Sequence, residues 1–144
     1  MSTKEAQEKI AKTMRKWQKV ENSAVKSTAE IIDQTDNPVL RMVMEIIQRD
    51  SHMHFRVQEM IADSIERAPL TLSTDEIAKV WSLVEKHIEI EKTTIDMATT
   101  ALAETEGKKG LTLQRYLLEY LIADEKKHDS LLANMEAIKG NMYP

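Results

Sequence analysis

Five residues of metal-binding type stand at corresponding places along the 144-residue chain: Glu21, His54, Glu91, Glu125 and His128. Glu125-Lys126-Lys127-His128 is a Glu-x-x-His run, and on a helix a spacing of three sets carboxylate and imidazole on one face. A hard oxygen donor beside an imidazole invites a cation such as iron, manganese or zinc. The earlier run Asp50-Ser51-His52-Met53-His54 repeats the arrangement in part. Aligning the halves pairs Glu21 with Glu91, Asp50 with Asp124, Ser51 with Glu125 and His54 with His128, an internal repeat of a helical hairpin. His87, one turn before Glu91, is either a further ligand or a neighbour that orients one. His52 points away from His54 and reads as a surface residue.

Four amphipathic segments must position these residues. Ser2 with Glu5 predicts a capping box opening a first helix from near Thr3 to near Asp33, with Ile10, Met14, Trp17, Glu21, Ala24, Thr28 and Ile31 on its inner stripe. Asp36 or Asn37 before Pro38 predicts a second, with Leu40, Val43, Ile47, Asp50, His54, Val57 and Ile61 inward. Ser73 with Glu76 opens a third carrying Ile77, Trp81, Val84, Ile88, Glu91, Ile95, Ala98 and Leu102. Beyond a loop at Gly107 to Gly110, a fourth begins near Thr112 and carries Leu117, Leu121, Asp124, His128, Leu131, Met135 and Ile138 until Gly140 stops it.

Two-faced helices of about 28 to 31 residues, roughly 42 to 46 Å long, predict an all-α four-helix bundle spanning 1–144 as a single domain. Glu21, His54, Glu91 and His128 each fall about 16 residues into their helix, so they are expected at one level of an apolar core. A carboxylate there must be protonated, paired or metal-bound, because desolvating an unpaired ion costs several kcal/mol. Two readings follow. One is a cation site; the other is a salt-bridge layer that fixes helix register in a metal-free bundle acting as a structural or interaction protein. Trp17 and Phe55 read as packing.

The absence of Cys excludes a disulfide framework, a thiol nucleophile and a Cys-ligated zinc or iron–sulfur centre. Twenty basic against twenty-four acidic residues give a net charge of −4, which offers no field for nucleic acid. Three Gly and three Pro argue against a turn-rich β architecture. The charged opening stretch lacks a signal-like apolar region, and no run of about 18 apolar residues occurs. A cytoplasmic protein, free of membrane, is the expectation.

In these residues the sequence resembles the ferritin-like superfamily, in particular its rubrerythrin-like members, and the resemblance covers nearly the whole chain. There, two helices give a Glu each and two give Glu-x-x-His around a pair of iron or manganese ions. The resemblance implies Glu21 and Glu91 as terminal ligands, His54 and His128 as imidazole ligands and Glu125 as a bridging carboxylate. Ser51 stands where that family's second bridging Glu belongs, so either Asp50 substitutes or one metal is weak or absent. The family's helices two and three are joined by a crossover along the bundle. The stretch Ala68 to Ser73 reaches only about 21 Å, which leaves up-down-up-down connectivity open. The implied activity is that of a homo-oligomeric non-haem protein whose one or two iron ions react with dioxygen or hydrogen peroxide. It would oxidise ferrous iron, or reduce peroxide with electrons from an external donor; plain metal storage is the simpler variant.

Overall fold

The structure, a computed structural model, describes residues 1–141, with side chains accounted for as far as Ile138. Among the described residues the chain is all-α, with four helices and no strand: α1 (Thr3–Gln34), α2 (Pro38–Glu66), α3 (Thr74–Glu104) and α4 (Thr112–Asn141). Among them, no helix is long and apolar enough to cross a membrane.

The helix starts are set by local chemistry. Ser2 Oγ accepts from the backbone N–H of Glu5 at 3.2 Å while Glu5 accepts from the N–H of Ser2 at 2.7 Å, so two of the orphan donors at the start of α1 are satisfied reciprocally. Ser73 and Glu76 do the same for α3, at 3.1 and 2.8 Å. At the start of α2, Asn37 Oδ1 accepts from Val39 and Leu40, and Pro38 takes the first helical position, where its missing N–H costs nothing.

The chain divides into two compact units, Met1–Leu70 and Thr71–Pro144, each built on a helical hairpin. In the first, residues 35–37 turn α1 into α2. Arg41 reaches back across this turn and donates to the carbonyls of Ile32 and Thr35 at 2.8 and 3.0 Å, closing the end of α1. The antiparallel register is fixed at the other end by Arg15, which pairs with Asp63 at 2.7 Å and Glu66 at 2.8 Å. The second hairpin has a longer connection, residues 105–111, in which Gly107 and Gly110 adopt φ of 67° and 83°. These are left-handed conformations that cost a residue with a Cβ roughly 1–2 kcal/mol.

The seam between α1 and α2 is small and polar. Its buried residues are Ala11, Gln18, Glu21 and Thr28 on α1 and Ser51, Gln58 and Ala62 on α2. This corrects the expected core. Ile10, Trp17 and Ile31 are 42–48% exposed, and Leu40, Ile47 and Val57 are also exposed, as are Leu121, Leu131, Met135 and Ile138 on α4. A helix in a pair buries only the narrow line facing its partner, and the wider apolar stripe lies beside that line. In the second hairpin Ile77 and Glu91 are buried, with Trp81, Val84, Ile88, Ile95, Ala98, Leu102 and Leu117 half-buried. Gly140 does not end α4, which continues to Asn141.

Candidate metal-binding cluster

The two hairpins repeat one geometry. Glu21 lies thirteen residues before Gln34, where α1 ends, and Glu91 thirteen before Glu104, where α3 ends. His54 lies sixteen residues after Pro38 and His128 sixteen after Thr112. Counting from the hairpin turn therefore sets the same pair opposite each other twice. His54 Nδ1 is 3.4 Å from Glu21 Oε1, and His128 Nδ1 is 3.4 Å from Glu91 Oε1. Both glutamates are buried, at 6% and 5% exposure, and both imidazoles are open to one side.

Around these shared pairs the residues differ. In the second hairpin Glu125 joins, with Oε2 3.7 Å from His128 Nδ1, and one donor atom each from Glu91, Glu125 and His128 lies within 4.8 Å of the others. Ligands held about 2.1 Å from one ion are about 3.0 Å apart at right angles and about 3.4 Å apart at the tetrahedral angle. The observed spacings therefore suit a common cation. Asp124 Oδ2 approaches the far nitrogen, His128 Nε2, at 3.4 Å, which favours the proton on Nε2 and leaves Nδ1 facing the carboxylates as a donor atom. Thr94 Oγ1 is 3.1 Å from Glu125 Oε2, and His87 Nε2 is 2.8 Å from Glu91 Oε1. An open depression of about 470 Å³ gives access to the group, with His87, Thr94 and Leu132 also on its wall.

The two carboxylates shift each other in opposite directions. Hydrogen bonding from Glu125 holds Glu91 below the usual carboxylate range, with His87 and His128 acting in the same direction against burial. The same bond, together with burial, pushes Glu125 up. Even so, Glu91 Oε2 is buried with no hydrogen-bond partner.

In the first hairpin Ser51 is buried at the place of Glu125. The amide of Gln58 donates to Glu21 Oε1 at 3.1 Å, and its own Oε1 is buried without a partner. Asp50 is half-buried and makes no ion pair or hydrogen bond with Glu21 or His54. Sequence reasoning missed Gln18, Gln58 and Thr94. Gln58 lies one turn after His54 and Thr94 three residues after Glu91, spacings that set each on the same face. Gln18 was legible only through its place in the small and polar heptad that begins at Ala11.

These opposite shifts set a pH dependence. Because Glu125 titrates higher in the folded protein, the stability it contributes is full below its ordinary value of 4.5 and is lost as pH rises through the raised one. Glu91, held lower, acts oppositely, losing its contribution only as pH falls below 4.5. Glu125→Gln keeps a donor beside Glu91 and removes the ionisation. Metal-free melting temperatures measured from pH 4.5 upward are expected to fall in the parent relative to this variant; parallel curves would show that the two carboxylates do not shift each other.

Compared with models of known families, with curated proteins and with solved structures, the chain matches none.

Proposed function

We propose that the protein is a ferritin-like, non-haem metal-binding protein that holds iron on Glu91, Glu125 and His128 and reacts it with dioxygen or hydrogen peroxide. One observation carries this reading. Glu91 is a buried carboxylate with an orphan oxygen, set against a second carboxylate and an imidazole whose donor atoms have the spacing of ligands. A divalent ion would balance the two negative charges of this buried pair and give its carboxylates a common partner. Hard carboxylate oxygens favour ferric over ferrous iron, which assists oxidation. Each bound ferrous ion would supply one electron, so reducing one H2O2 with two protons to two waters would draw on two ferrous ions, from two chains or from two successive loadings of one site.

The His87–Glu91 and His54–Glu21 contacts also support a second reading, in which polar pairs simply fix the register of each hairpin. Anaerobic addition of ferrous iron followed by gel filtration separates the two. Retained iron that turns ferric faster than in buffer, on admitting dioxygen or peroxide, supports the first. Protein that retains none leaves the register-fixing role.

A further inference from the structure

We infer that the two hairpins, alike in backbone, differ in chemistry: the chain takes one divalent transition-metal ion, in the second hairpin, while in the first a glutamine amide stands in for the cation. The inference rests on the reading of Glu91, Glu125 and His128 as a metal site and adds to it which half of the repeat is loaded and how many ions the chain holds.

Glu125 offers a second carboxylate where the first hairpin has Ser51, so one half brings two negative charges to a divalent ion and the other brings one. Three donors converge in the second hairpin, the number that open metal sites keep, whereas Glu21 and His54 alone make two. His128 has its ring set from behind by Asp124 at 3.4 Å, but Asp50, the equivalent residue, makes no such contact with His54. A ring oriented from its far nitrogen is the usual arrangement of a ligating histidine.

The remaining difference explains how Glu21 stays buried without a metal. Gln58 is 3% exposed and gives Glu21 Oε1 an N–H at 3.1 Å, whereas the equivalent residue in the second hairpin is Leu132, which has nothing to donate. An amide hydrogen bond satisfies a buried carboxylate oxygen in part. Glu91 Oε1 is met instead by the ring of His87 at 2.8 Å, and its other oxygen, Oε2, is buried without a partner.

Titration of the full chain with cobalt(II), followed by its visible absorption and by equilibrium dialysis, tests this. One equivalent per chain is expected, with Glu21→Gln and Gln58→Leu leaving number and midpoint within about twofold and Glu91→Gln weakening binding at least about tenfold. Two equivalents in the parent, or weaker binding in Glu21→Gln or Gln58→Leu, would make the first hairpin a source of ligands and overturn the inference. Helical circular dichroism of each variant separates loss of ligand from loss of fold. A parent chain that takes up neither cobalt nor ferrous iron refutes the metal reading itself, an outcome distinct from a wrong count.

Discussion

Alanine at position 125 or 128 is expected to lower affinity for ferrous iron by about 100-fold or more, whereas His54→Ala leaves it nearly unchanged. Loss of a residue that merely orients a ligand costs about 10–100-fold, and loss of the ligand itself should exceed that. Glu125 and His128 sit on one face of α4 with their donor atoms 3.7 Å apart, so either deletion leaves two donors where three converged. His54 is paired with Glu21 in the first hairpin and, among the described residues, has no second carboxylate beside it. Stoichiometry and midpoint by anaerobic titration check the result. Equal losses in all three variants would mean that both halves of the repeat hold metal alike. Leu at position 124 provides a graded control: it frees His128 Nε2 without removing a donor, and so should fall between the parent and His128→Ala.

What could be read from the sequence follows the range of the forces involved. Helix boundaries were legible because caps are local: Ser2 with Glu5, Asn37 with Pro38, and Ser73 with Glu76 act within one turn, and α1, α2 and α3 start where those residues predict. Gly140 misled because a glycine late in a helix only weakens it by about 1 kcal/mol and does not oblige it to stop. That Glu21 and His54 fall at one level of the first hairpin, and Glu91 and His128 at one level of the second, was legible because each lies near the middle of its helix. The buried seam was not. Hydrophobicity marks a broad stripe, while the line that touches a partner helix is chosen by close fit, and in the first hairpin Ala11, Gln18 and Ser51 join the expected Glu21 and Thr28 on it in place of Ile10, Trp17 and Ile31. Hydrogen bonds across the pair, such as Gln58 to Glu21, depend on that choice and were out of reach for the same reason.

Ser51→Glu is expected to destabilise the metal-free protein by about 3 kcal/mol or more, since it places a charged and larger side chain at a position only 5% exposed. For a chain of this size that lowers the melting temperature by roughly 10 °C. A divalent cation should restore much of it, because the change gives the first hairpin the third donor that Glu125 gives the second; a second equivalent of metal should then bind. Melts of the metal-free and metal-loaded variant, beside a metal count, decide it. An unchanged melt would mean that position 51 opens to solvent and that the alignment of the halves fails there.

The unequal turns bear on kinetics. Closing seven connecting residues rather than three costs about 0.7 kcal/mol more chain entropy, and the shorter turn is also clasped by Arg41 on two carbonyls. Amide protons of α3 and α4 should accordingly exchange through more frequent openings than those of α1 and α2. An ion gripped by Glu91 on one helix and by Glu125 and His128 on the other would act as a removable cross-link across the looser pair. The half of the molecule that opens most readily to admit a cation is thus the half whose breathing that cation would arrest.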